Sequence, residues 1–303
     1  MLLHFPRRHK PTSINFGKTL PLTLLLACLY FFCSSISCAK KDSENKITLP
    51  FDSIPVAHAV KPIIDEGSGI ADSKINPGNI WVEEDSGNPP EIILVKHDGT
   101  IIRKVFIKNA TNRDWEDMAL YNDSIYVAEI GDNDALYDTY SFYIFPEPSS
   151  SVDTVSSFRK ISFKYPDGSH DAEAFLMDRS TGDIFIITKR DNPSRIYKLK
   201  YPFADSANTL EYAGKLNYNE VTSAAISSDD KEVMVKTYTG INYYTRNPGE
   251  DLITCLSQTP IQLPYTLEPQ GEAVCFSADT SGFYTLSEKS LASVVNLYFY
   301  QRD

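Results

Sequence analysis

Five times in this chain a short apolar strand opens just after an acidic or small polar residue and turns back into a second apolar strand. The openings are Ser68-Gly-Ile-Ala, Glu116-Asp-Met-Ala, Glu173-Ala-Phe-Leu, Ser223-Ala-Ala-Ile and Glu272-Ala-Val-Cys, and they stand 48, 57, 50 and 49 residues apart. Second strands follow at Asn79–Glu83, Ser124–Ala128, Asp183–Ile187, Glu232–Lys236 and Gly282–Leu286, nearly all after turn residues such as Asn76-Pro-Gly and Thr181-Gly-Asp. Third strands fit Glu91–Lys96, Ser141–Phe145, Arg195–Tyr201, Gly240–Arg246 and Val294–Gln301. Fourth strands fit Ile101–Ile107, Ser156–Phe163, Leu210–Leu216 and, less clearly, Leu252–Leu263. No segment holds a 3.6-residue apolar period over ten or more residues, so helices should be scarce.

A strand-built repeat of this length buries its faces by stacking on its neighbours, which predicts an all-β chain forming a single β-propeller of four-stranded blades. Five blades are counted. Six stays open, because the 57-residue interval has room for a degenerate blade. The last repeat runs out after its third strand, and Val56–Ile64 can supply the missing outer strand. Closure by strands from both ends would hide the sheet edges.

Residues 1–37 read as an export signal: Arg7, Arg8, Lys10 and Lys18 flank an apolar run from Leu20 to Cys33. At 14 residues that run is shorter than the ~20 a spanning helix needs. Ser35-Ile-Ser-Cys38 resembles a bacterial lipoprotein processing site, with Cys38 as the acylated residue, although Ser35 stands where leucine is usual. An uncleaved anchor or an ordinary cleaved signal is the alternative. The polar Ala39–Lys46 resembles the charged export tag of Bacteroidetes surface lipoproteins. The expected organisation is a lipoprotein signal peptide at 1–37, a flexible tether at 38–54 and the propeller at 55–303. The chain would then sit in the cell envelope, lipid-anchored to the outer membrane, periplasmic or surface-exposed.

Removing 37 of the 303 residues leaves 266, ample for one all-β domain. The leader carries four of the 29 basic residues and none of the 40 acidic ones, so the remainder has 25 against 40, a net charge of −15. That excess opposes nucleic-acid binding, which needs cationic surface. Cys255, on an expected outer strand, and Cys275, on the next innermost strand, are too far apart to bridge and should be buried free thiols.

Antiparallel geometry returns each second strand to the end where its innermost strand began. One face should therefore gather the openers Asp114-Trp-Glu-Asp117, His170-Asp-Ala-Glu173, Thr222-Ser223 and Gln270-Gly-Glu272. The closers Asp85–Asn88, Glu129–Asn133, Lys189-Arg-Asp191, Lys236-Thr-Tyr238 and Glu288-Lys289 should join them. Glu116, Glu173 and Glu272 hold equivalent repeat positions and should converge near the axis. Carboxylates so close repel unless protons, cations or a metal ion offset them. Hard oxygen ligands favour Ca²⁺ or Mg²⁺, with Asp85 and Asp132 completing the shell. Lys189, Arg190 and Lys236 could pair with these carboxylates or hold an anionic ligand, with Asp114 and Trp115 beside them. His170 is the candidate general acid/base. Each glutamate has a plainer reading as a clamp on neighbouring backbone amides, His170 as a turn residue, and Trp115 as a plug between blades rather than a stacking platform. No nucleophile elbow, phosphate loop, zinc-peptidase motif or Cys-x-x-Cys occurs.

The stretches Trp81–Pro90 (WVEEDSGNPP), Asn112–Ala119 (NRDWEDMA), Tyr126–Asn133 (YVAEIGDN), Asp171–Phe175 (DAEAF), Ile187–Arg190 (ITKR) and Gln270–Val274 (QGEAV) resemble the motif series of a bacterial secreted propeller family without a settled activity. The resemblance spans about residues 65 to 290. The chain is more distantly similar to esterase-like, phytase-type and strictosidine-synthase-like propellers, several of which hold a divalent ion in the channel. That similarity implies metal-assisted ester or phosphoester hydrolysis, an analogy at the level of fold. The expectation is a monomeric propeller binding a small-molecule or glycan ligand, anionic in character, touching membrane only through its lipid anchor. A non-catalytic glycan- or protein-binding module is the alternative.

Overall fold

The computed structural model describes residues 49–205 and 207–303. The expected leader at 1–37, the acylated Cys38 and the tether up to residue 48 lie outside the described residues. Among the described residues no helix is long and apolar enough to cross a membrane.

Five antiparallel sheets form a five-bladed β-propeller. From the axis outward, the first blade contains Gly67–Asp72, Asn79–Glu84, Glu91–Lys96 and Ile101–Ile107. The second contains Trp115–Tyr121, Ser124–Glu129, Tyr140–Pro146 and Arg159–Lys164. The third contains Ala172–Met177, Ile184–Thr188, Arg195–Leu199 and Glu211–Lys215. The fourth contains Val221–Ile226, Glu232–Thr237, Gly240–Thr245 and Ile261–Leu263. The fifth contains Gln270–Phe276, Gly282–Glu288 and Asn296–Gln301, completed by Val56–Ala59. The inner strands pack on one another in cyclic order.

Closure is antiparallel, with Val56 opposite Phe299 and Ala59 opposite Asn296. The folded unit begins before the expected boundary at residue 55. Phe51 is buried, bridges to Arg302 and packs edge-on against Tyr243 and Phe283, so apolar contact extends the closure into the expected tether.

Five apolar clusters fill the five interfaces between blades. Trp81 and Trp115 lie together between the first and second blades, and Phe142, Phe163 and Phe175 between the second and third. Burying each such side chain is worth roughly 1.5–3 kcal/mol, which locks neighbouring blades together.

The 57-residue interval holds no sixth blade. Its extra length includes the connection after Pro146, which lays Thr154–Val155 alongside the outer strand of the first blade. Asn208–Thr209, from the third repeat, stitches to the second blade in the same way. Asn122 and Asp123 both adopt positive φ, 46° and 63°, which gives the tight turn of the second blade's first hairpin its primed geometry.

The expected outer strand Leu252–Leu263 is instead a helix, Leu252–Leu256, and a three-residue strand. Asp251 caps the helix by accepting from the Thr254 amide at 2.9 Å. Cys255 lies on that helix rather than on an outer strand, between the third and fourth blades. Cys275 lies between the first and fifth, and both are buried free thiols.

Candidate functional site

Every inner strand carries a β-bulge near its start, where pairing to the second strand skips one residue. The skipped residues are Ser68, Glu116, Glu173, Thr222 and Glu272. A bulge re-aims the extra side chain, and five equivalent bulges re-aim five side chains at one end of one channel. Glu116, Glu173 and Glu272 occupy equivalent places, as their spacing predicts. In the fourth blade the equivalent residue is Thr222, one position before the Ser223 that opens the repeat by sequence, because the bulge shifts the register. All five are at most 4% exposed, so their polar groups need partners within the protein or from a ligand.

The neighbours of this ring set its charge. Asp85, Asp114 and Glu116 each offer an oxygen, and these lie within 4.8 Å of one another. The Gly131 backbone lies directly against this group: a Cβ there would stand 2.3 Å from Glu116 Oε1 and 2.6 Å from Asp114 Oδ2. Only glycine leaves both carboxylates in place. Burial, then Glu173 and Asp85, pushes the Glu116 carboxyl well above its ordinary range, while Ser68 Oγ lies 3.2 Å from its Oε2. Burial and the Asp85 charge raise Asp114 to about 7. On the other side, burial and the Glu272 charge raise Glu288 to about 8.

Lys189 is the cation inside the ring. It forms a short ion pair with Glu173 Oε1 and lies over the Tyr238 ring, 4.8 Å from its centroid. Burial disfavours its charge, but Glu173 and Glu272 outweigh burial and hold the ammonium above its ordinary range. One lysine faces too many carboxyls. Glu173 Oε2 and Glu272 Oε2 are buried without a hydrogen-bond partner among the described residues. Glu83, which the sequence reading left out of the site, is fully buried with neither carboxyl oxygen partnered among the described residues. Burial first, then Asp85 and Asp117, drives its pKa well up. Glu83 pairs across from Gly69, and a Cβ on Gly69 would meet Glu83 Oε1 at 2.5 Å. A glutamate closing a strand opposite a glycine was the available signal.

Lys236, whose charge acts on Glu272, pairs instead with Glu268. It is fully buried, 3.5 Å from Glu268 and 3.0 Å from the Tyr265 hydroxyl, and burial outweighs both Glu268 and Glu272 to lower its pKa. Glu268 and Tyr265 come from the loop before the fifth blade, which the repeat pattern did not single out. Asp132 serves its own loop: its oxygens accept from the Leu136 and Tyr137 amides and the Tyr140 hydroxyl, each at 2.8 Å. Arg190 reaches Asp171 at 2.7 Å and Asn133 at closer range, on the rim. His170 stands among loop and third-strand groups, its Nδ1 2.9 Å from Asp191 and its Nε2 3.0 Å from the Tyr197 hydroxyl and 3.2 Å from Asp167. Trp115 is enclosed, donating through its indole nitrogen to the Thr111 carbonyl at 3.0 Å, which is the plug geometry.

Below the ring the channel narrows to a polar waist. Asp117 accepts from the Met118 amide at 2.9 Å, the Ser223 hydroxyl at 3.2 Å, the Phe175 amide at 3.3 Å and the Ala224 amide at 3.4 Å. Ser223 Oγ in turn accepts from the Val274 amide at 3.2 Å. One carboxyl thus ties the second, third and fourth blades together, and Ser223 extends the tie to the fifth. Small residues, Gly69, Ala174 and Ala273, hold the equivalent positions in the other blades and leave Asp117 its space.

No known family of sequences matches the chain, and no curated protein matches it. Among solved structures it is similar to a luciferin-regenerating enzyme, with 10% identity over 82% of this chain and 95% of that one and a TM-score of 0.49. It is also similar to an aldose sugar dehydrogenase from Streptomyces coelicolor, solved with bound PQQ, with 9% identity over 84% and 100% and a TM-score of 0.47. A chain of a nidogen–laminin complex gives 11% identity over 74% and 72% and a TM-score of 0.46. Likenesses this distant say nothing about a ligand.

Proposed function

We propose that the acidic mouth holds a divalent cation, Ca²⁺ or Mg²⁺, and that cation and Lys189 together bind a small anionic ligand there. The observation that carries this reading is the Asp85–Asp114–Glu116 set, with oxygens within 4.8 Å of one another, beside buried and unpartnered oxygens on Glu173 and Glu272. All-oxygen donors suit hard cations. When bound, the cation would offset the mouth's negative charge and polarise an ester or phosphoester oxygen. Burial and crowding raise the Glu116 and Asp114 carboxyls, so a bound cation should lower them and release protons, and Glu173 keeps Lys189 charged and aimed at the mouth. Binding without turnover is the second reading, favoured because both His170 nitrogens are engaged outside the mouth.

Thermal unfolding tests the cation. Excess Ca²⁺ or Mg²⁺ over chelator should stabilise the protein by ~2.7 kcal/mol at a hundredfold excess over Kd. Glu116→Gln should abolish that gain. No shift with either ion in the parent protein removes the reading. Turnover of phosphoester and lactone panels then separates catalysis from binding. In this reading the protein acts in the cell envelope, anchored through Cys38. Loss of lipid label in Cys38→Ala is the expected result, and retention of label would remove the anchor.

A further inference from the structure

The inner strands end, on the face away from the acidic ring, around a second chamber of about 360 Å³ that the proposed function does not use. All five blades line it, with Met118, Phe175, Met177, Ile226, Cys275 and Phe276 among the walls. That volume lies at the lower end of the ~300–1,000 Å³ range of small-molecule pockets, which suits a short chain or single ring. The Asp117 waist lies between the chamber and the acidic ring, its oxygens already accepting hydrogen bonds. The waist carboxyl is satisfied, and the unpartnered Glu83 oxygens do not line the chamber, so an occupant's apolar part belongs there.

The rim is different. Lys74 is bound to Asp123 across the blades, and Asp72 is bound to His97 and the Ala278 amide. Arg179 is the rim cation without a side-chain ion pair among the described residues, although its backbone amide donates to Asp230 Oδ1 at 3.4 Å. Asp230 and the adjacent Asp178 are bridged by Arg246 at 2.7 and 3.0 Å. Arg179 Nη2 makes a 3.3 Å bond to the Leu120 carbonyl, its guanidinium lies over Tyr121 and its Nε is buried without a partner among the described residues.

We propose that this chamber binds a short amphipathic carboxylate, of the medium-chain fatty-acid class, with its tail against the inner strands and its head group on Arg179. The apolar walls supply affinity in proportion to tail area, and the guanidinium selects an anion over an alcohol. This site is independent of the cation mouth at the opposite end.

Three methionines lie in the described region, and their methyl groups report on the site separately. Met118 and Met177 line the chamber, whereas Met234 is buried between the fourth and fifth blades. Titrating the full chain, labelled at its methionine methyls, with octanoate should shift the Met118 and Met177 resonances and leave Met234 still. Affinity should rise about fourfold per added methylene from hexanoate upward until the chamber is full. Octanol should bind at least tenfold more weakly, and Arg179→Ala should bring octanoate down to the level of octanol. Ala119→Phe, which fills the chamber from the second blade, should lose both ligands while keeping the native methyl spectrum of Met234. The proposal is overturned if octanoate at saturation moves neither chamber methionine, if octanol binds as tightly as octanoate, or if Arg179→Ala leaves octanoate affinity unchanged.

Discussion

At the end where the inner strands begin, the channel carries Glu116, Glu173 and Glu272 with Lys189 among them. At the end where the same strands finish, it carries Met118, Met177, Ile226 and Phe276. The two regions share five strands, one axis and one set of neighbours. What differs is local backbone: five bulges aim polar side chains inward at one end, while regular pairing beyond them leaves apolar residues around the other. One strand thus builds two chemistries within roughly 20 Å, a six-residue strand rising ~3.3 Å per residue. Asp117 marks the border and is itself a bulge neighbour.

The comparison breaks most visibly at the charge balance of the acidic end. Lys189→Met should cost roughly 3 kcal/mol in chelator, because it strands Glu173 and Glu272 in a buried setting. Urea unfolding measures the loss, and added Ca²⁺ should restore part of it. Next is the border. Asp117→Ala leaves three amides and a hydroxyl without their acceptor and should cost about 2–3 kcal/mol by the same assay, and Asp117→Asn should cost about 1–3 kcal/mol, because either flip sets its NH2 against a backbone N–H donor. Gly131→Ala should act on geometry rather than charge. Its Cβ displaces the Asp114 and Glu116 carboxylates, so calorimetric Ca²⁺ affinity should fall about tenfold or more with only a modest loss of stability.

A smaller effect comes from pH. Asp114 titrates at about 7 in the folded chain against an ordinary 3.8, and Glu288 at about 8 against 4.5. Between those values the folded state binds more protons than the unfolded state. Their contribution is therefore complete below about pH 4 and is lost as pH rises through about 7 to 8. Without cation, Tm should fall by ~2–4 °C between about pH 5 and about pH 9, and Asp114→Asn should flatten the slope. The smallest expected effect is none: Ala119→Phe, at the apolar end, should leave the Ca²⁺-induced Tm shift untouched. A change there would show that the two ends are not separate.

Repeat spacing was enough to recover the ring, its five blades and the closing strand, because period and turn chemistry are written in contiguous residues. It also set Glu116, Glu173 and Glu272 at one end, since equivalent positions in a closed ring face the same axis. Bulges were not legible, and so the repeats align Ser223, rather than its neighbour Thr222, with the three glutamates. Skipping one residue of a pairing leaves no mark on composition. Glu83 was missed because its exposure to the channel depends on the absent side chain of Gly69, a residue on another strand. His170, Asp132 and Lys236 sit at loop ends near the mouth, but each turns to partners from loops or third strands: Asp191 and Tyr197, Leu136 and Tyr140, Glu268 and Tyr265. Such partners lie four to 32 residues away and follow no repeat. The helix at Leu252–Leu256 is too short to show a period.

Val56–Ala59 is made first and paired last. Its partner, Asn296–Gln301, follows more than 230 residues later, which at ~5–20 residues per second is on the order of ten to fifty seconds of synthesis. For that time four blades can assemble while the strand that seals them waits with its backbone donors open. Whatever shields that strand as the chain emerges, a chaperone or the crowding of its own first blade, decides whether the circle shuts on itself or on a neighbouring nascent chain.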